Sequence, residues 1–135
     1  MSKSSRRAFL TSSALATVAT VVAQPNINMS SSSLVIHQVF FWLKNRGSVA
    51  DRKKLAEGLQ KLSAIREIQQ LYVGFPASTE KREVVDNSWD VSELMFFNDL
   101  TTQKTYQDHP LHQTFIKQYA HLWEKVIVYD TLTIE

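Results

Sequence analysis

The sequence predicts an α+β fold, a four-stranded antiparallel sheet carrying helices on one face. Three observations predict it. Four short stretches rich in Val, Ile and aromatic residues, at 34–43, 68–75, 89–97 and 126–134, read as strands. Stretches with apolar residues at helical spacing follow the first and the third of them. At 135 residues, the chain has room for one core and no second domain of ordinary size.

Composition narrows the function classes. Hydrophobic residues at 44% and charged residues at 21% are an ordinary globular balance. The absence of cysteine excludes disulfides, thiol catalysis, cysteine-ligated metal clusters and a lipid anchor on cysteine. The formal charge of +2 includes Lys3, Arg6 and Arg7, which precede an apolar run from Ala8 to Ala23. Without them, twelve basic residues stand against thirteen acidic ones, a net charge of −1. A domain so close to neutrality has no electrostatic case for nucleic acid, whose binding rests on phosphate neutralisation.

Residues 1–23 read as a targeting segment. Ser5-Arg6-Arg7-Ala8-Phe9-Leu10 resembles a twin-arginine (Tat) export signal, and Val21-Val22-Ala23 suits signal-peptidase cleavage before Gln24-Pro25. The expectation is a periplasmic or secreted protein that touches a membrane only through this segment, before cleavage. Residues 24–33 are a polar linker expected to be disordered, and the domain proper runs over 34–135.

The first strand is apolar at nearly every position. Val35, His37, Val39, Phe41 and Leu43 share one face; Leu34, Ile36, Gln38, Phe40 and Trp42 share the other. Helices of the same chain can cover one face, and the second calls for a partner chain. Lys44 to Gly47 is a turn, and Ser48 with Asp51 reads as a helix cap. Leu55, Leu59, Leu62 and Ile65 then form a single apolar stripe. The second strand ends at Gly74-Phe75-Pro76, and 77–88 is a charged connection to the third, at 89–97. Asp99 caps a short helix through Thr105, and Pro110 opens another that runs to Trp123. Strand 126–134 closes the chain. The order strand, helix, strand, strand, helix, strand is a ferredoxin-like βαββαβ unit.

Tyr106, His109 and His112 fall within seven residues, and His37 joins them if its strand face looks at the helices. The chain from Leu34 to Ile134 resembles the stress-responsive dimeric α/β-barrel (Dabb) domain family. The resemblance rests on His37, Trp89-Asp90, Tyr106, His109-Pro110-x-His112, Trp123-Glu124-Lys125 and Val128-x-Asp130. It implies a homodimer in which two four-stranded sheets close a dimeric α/β barrel. In a plant polyketide cyclase of this fold, residues similar to Tyr106, His112 and His37 line the pocket, with the histidine like His112 as base. An imidazole can remove a proton alpha to a carbonyl, and a phenol can hydrogen-bond the oxygen that develops charge.

The same residues also suit a purely structural role, His109 capping a helix and Tyr106 and His112 satisfying each other. A metal site on His37, His109 and His112 lacks an acidic partner at ligand spacing, so no metal is expected. No glycine-rich phosphate loop is present, and no cofactor is expected. The sequence thus points to a helix–sheet cavity for a small apolar or aromatic molecule. Phe41, Tyr119 and Trp123 would be its walls, with His109 beside them, and His37, Tyr106 and His112 its polar groups. The alternative is a cofactor-free cyclase, lyase or isomerase acting on a carbonyl compound, with His112 as general base.

Overall fold

A computed structural model describes residues 33–134. The expected export signal, 1–23, and all of the expected linker except Ser33 lie outside the described residues. The chain forms β1 (Val35–Leu43), α1 (Val49–Gln60), β2 (Gln70–Gly74), β3 (Val91–Phe97), α2 (Leu100–Asp108), α3 (Pro110–Tyr119) and β4 (Trp123–Leu132). The sheet order is β2-β3-β1-β4, with every neighbouring pair antiparallel. This is the ferredoxin-like arrangement, with β1 and β3 at its centre.

Alternation along β1 decides the layers. Val35, His37, Val39, Phe41 and Leu43 are buried against the helices. β3 turns Val91, Glu93, Met95 and Phe97 to the same side. On the opposite side no helix packs among the described residues. There Phe40, Leu94, Phe96 and Ile127 are only half-buried, and Tyr72 and Tyr129 are exposed.

The helical stripe of Leu55, Leu59, Leu62 and Ile65 is buried throughout. The α-helix itself ends at Gln60 and tightens into a 3₁₀ turn at Lys61–Ala64, which still stacks residues three apart. Gly47, at φ 82°, makes the left-handed turn before α1. Ser48 Oγ then accepts from Asp51 N–H at 3.1 Å and starts the helix. Gly58 is required for a different reason: a Cβ there would lie 2.6 Å from the Tyr119 ring.

Several boundaries depart from the sequence reading. Trp89 and Asp90 precede β3 rather than open it. Asp90 is buried, and its carboxylate accepts from Leu43 N–H at 2.9 Å, Arg46 Nε at 2.9 Å and Arg52 at 3.3 Å. The helix expected to reach Trp123 ends at Tyr119, and a 3₁₀ turn at Ala120–Leu122 lets Trp123 begin β4. The helix capped by Asp99 runs three residues beyond Thr105, to Asp108.

Replacing Asp90 by alanine strands the buried Leu43 N–H and removes two charge-assisted bonds. The expected cost is about 2–4 kcal/mol, read as a fall in the urea midpoint. An unchanged midpoint would show that the carboxylate is dispensable.

Candidate functional site

The register of β1 with β4 assembles one wall of a cleft. His37 faces Asp130, Val39 faces Val128, and Phe41 faces Val126. β4 is an edge strand with no buried residue, and Val126 and Val128 stay exposed. Between this strand pair and α3 lies an open cleft of about 360 Å³. Its apolar wall is Val39, Phe41, Phe115, Ile116 and Trp123, with the Phe41 and Trp123 rings 5.1 Å apart. Its polar groups are His37, Glu93, Gln107, His112 and Asp130.

His37 is 5% exposed, and its Nδ1 lies 2.6 Å from Asp130 Oδ1. An ionised carboxylate can only accept, so the ring donates from Nδ1 and Nε2 is left free. His112 Nδ1 lies 2.9 Å from the Gln107 carbonyl, which also accepts from the Gln113 amide at 3.1 Å. A carbonyl cannot donate, so His112 carries its proton on Nδ1 and keeps Nε2 as the basic nitrogen. Burial holds this imidazole below its ordinary pKa, and the neighbouring His37 lowers it further. His112 thus ends α2 by satisfying a terminal carbonyl and presents a neutral ring to the cleft wall.

Tyr106 is placed differently from the sequence expectation. It is 1% exposed and is not on the cleft wall. Its ring sits 4.7 Å from His112, 5.7 Å from His37 and 5.1 Å from Phe97, as a wedge supporting both histidines. Burial, with the Glu93 and Asp130 carboxyls nearby, pushes its phenol well above the usual value. Tyr106, His37 and His112 do converge, but as one ring cluster with only the two imidazoles on the wall.

Two expected ligand contacts lie elsewhere. His109 closes α2 and opens α3, its Nδ1 accepting from Leu111 N–H at 3.1 Å. It is a cap and is not on the wall. Tyr119 stacks on Phe115 at 5.3 Å and packs over Gly58, outside the cleft. It shares α3's apolar stripe with His112, but a stripe spanning three turns faces two neighbours. Among the described residues, no three His, Asp or Glu side chains are placed to hold a metal ion.

Glu93 and Asp130 were not expected in the site. Asp130 comes to His37 only through the β1–β4 register, which a linear reading does not supply. Glu93 did leave a signal: it is an acid on a strand face otherwise held by Val91, Met95 and Phe97. It is 3% exposed, and its Oε2 has no hydrogen-bond partner among the described residues. Burial pushes its carboxyl up from 4.5 to about 8.

The fold around the ring cluster matches a known pattern. The family described as the stress responsive A/B barrel domain matches residues 35–132. The chain belongs to the Dabb family. No curated protein matches it by sequence. A solved Dabb protein with a ferredoxin-like fold from Mesorhizobium loti is 24% identical, with a TM-score of 0.62, over 76% of this chain and 99% of that one. A dimeric ferredoxin-like protein of unknown function from Thermobifida fusca is 16% identical, with a TM-score of 0.62, over 76% and 93%. The hydroxynitrile lyase of Passiflora edulis is 19% identical, with a TM-score of 0.63, over 77% and 96%. At these identities the likenesses establish the Dabb fold and no shared activity.

The raised Glu93 carboxyl fixes the sign of a stability change. Below pH 4.5 both the folded and the unfolded chain hold its proton. From there to about pH 8 the unfolded chain ionises while the folded one does not, so stability falls as pH rises. The loss is on the order of 4 kcal/mol. Urea denaturation at pH 5 and pH 8 should show Glu93→Gln gaining on the wild type at the higher pH. Parallel behaviour of the two would contradict the buried, protonated carboxyl.

Proposed function

We propose that this Dabb chain acts as a homodimer whose helix–sheet cleft binds a small apolar or aromatic molecule. The observation that carries the reading is the cleft itself: about 360 Å³, aromatic and aliphatic on its walls, with a few converging polar groups. The homodimer is supported by the helix-free sheet face, where Phe40, Leu94, Phe96 and Ile127 wait half-buried beside exposed Tyr72 and Tyr129. Several structures of this fold, including those from Thermobifida fusca and Bacteroides fragilis, are described as dimeric. The Arg6-Arg7 signal and the Val21-Val22-Ala23 cleavage pattern support export by the twin-arginine route, with a mature N-terminus at Gln24. N-terminal sequencing of the periplasmic fraction checks this, and a full-length cytoplasmic chain contradicts it.

A second reading rests on His112. Its Nδ1–H is spent on the Gln107 carbonyl, and its lowered pKa leaves Nε2 unprotonated at neutral pH. That is the state of a general base. In this reading the cleft houses a cofactor-free lyase, cyclase or isomerase that removes a proton alpha to a carbonyl, with His112 as general base. The hydroxynitrile lyase of the same fold lends it plausibility as a chemistry this architecture can host.

A thermal-shift screen of small aromatic compounds on the mature chain, followed by turnover assays on each hit, separates the two readings. Binding without turnover, retained in His112→Ala, supports the binding protein. Turnover that falls at least a hundredfold in His112→Ala, and drops as pH is lowered through the depressed imidazole pKa, supports the enzyme. Light scattering should read twice the chain mass, and a stable monomer would remove the homodimer.

A further inference from the structure

The cleft reading leaves one wall residue without a task. Glu93 sits between Val39 of β1 and Val73 of β2, and along its own strand between Val91 and Met95. An aliphatic side chain there would cost nothing in desolvation, whereas a buried carboxyl oxygen without a partner costs about 1–3 kcal/mol. Oε2 of Glu93 is such an oxygen among the described residues. A polar group held at this cost on a cleft wall is a candidate for a partner that arrives with the ligand.

The surrounding groups say what that partner is. Among the described residues, no lysine or arginine lines the cleft. His37 and His112 have their Nδ1 protons engaged by Asp130 and the Gln107 carbonyl. The neutral His112 ring therefore offers the ligand a lone pair rather than a proton. Gln107 is exposed, so its amide meets water. With Nδ1 of both rings engaged, the donors left to the wall are the exposed Gln107 amide and the buried Glu93 carboxyl. The titratable groups facing it are His37 from β1, Tyr106 from α2, His112 from α3 and Asp130 from β4. α1 and β2 bring only the apolar Leu55, Ala56, Leu59, Leu71 and Val73 to this core.

We infer that Glu93 is a ligand-recognition residue, donating a hydrogen bond from its buried carboxyl to a carbonyl oxygen of the molecule in the cleft. The ligand class is then a small aromatic or aliphatic ketone, aldehyde or ester, rather than a hydrocarbon or a carboxylate. An ionised ligand is disfavoured because no lysine or arginine among the described residues lines the wall, which already holds Asp130. With a pKa near 8, Glu93 keeps its proton at neutral pH, as a donor must. The inference rests on the cleft being the binding site, and it concerns what that site selects.

Acetophenone and α-methylstyrene test it, since they share a shape and differ by a carbonyl oxygen in place of a methylene. Both are titrated at pH 6 into the wild type, Glu93→Gln and Glu93→Met, with Glu93→Val as a second apolar variant suited to a strand. Met and Val should bind both probes, with the ratio of dissociation constants shifted toward the hydrocarbon by about three- to tenfold. Gln, whose amide still donates, should keep most of the wild-type preference. The same ratio in all variants overturns the role of Glu93 and leaves the cleft as a binding site. No binding of either probe to the wild type overturns both.

Discussion

The carboxylate of Asp90 ties the entry of β3 to three other parts of the chain. It takes the N–H of Leu43 at the end of β1, Arg46 from the turn and Arg52 from α1. Its own N–H donates to the Phe41 carbonyl at 2.8 Å. The entry to β3 is therefore pinned to the exit of β1 at one residue. Register in an antiparallel pair is all or nothing, because a slip of one position turns every side chain over. A slip here would send His37, Val39 and Phe41 to the helix-free face and dissolve the cleft. The Trp89-Asp90 pair, which reads in the sequence as a family mark, is in physical terms a register lock.

That lock explains which parts of the structure were legible. Alternation along β1 and the Leu55 to Ile65 stripe depend on local period alone, so the layers could be read directly. The ends of the elements could not. Trp123 lies at helical spacing from Tyr119, yet it belongs to β4 because a 3₁₀ turn intervenes. Trp89 has strand propensity, but its indole donates to the Asp86 carbonyl at 3.0 Å and its ring meets Phe40 at 5.1 Å. Tertiary partners, not intrinsic preference, set these boundaries.

The candidate site divides in the same way. Residues clustered in sequence around Pro110 were visible, and Tyr106 and His112 do come together with His37. Asp130 and Glu93 are brought in by cross-strand pairing from distant segments, and only a fixed register makes them neighbours. The cleft is accordingly less a triad than a layered object. Tyr106 is the buried wedge, the two imidazoles lie over it, and carboxyls flank them from β3 and β4. Burial favours the uncharged forms of Glu93 and His112, and the His37–Asp130 pair lies at the open side next to the edge strand.

His109 has a consequence of another kind. A single extended residue, at φ −64° and ψ 138°, is both the last cap of α2 and the first cap of α3. The two helices meet at an elbow with no slack. Inserting one residue there would change the direction in which α3 leaves α2, and with it the seat of His112 against Tyr106. Strand positions on the wall carry no such constraint on length, since a substitution there leaves the register in place. Such a lineage can diversify its chemistry along the strands while the elbow tolerates no change in length. Descent leaves its mark in the spacing, and specialisation in the sheet.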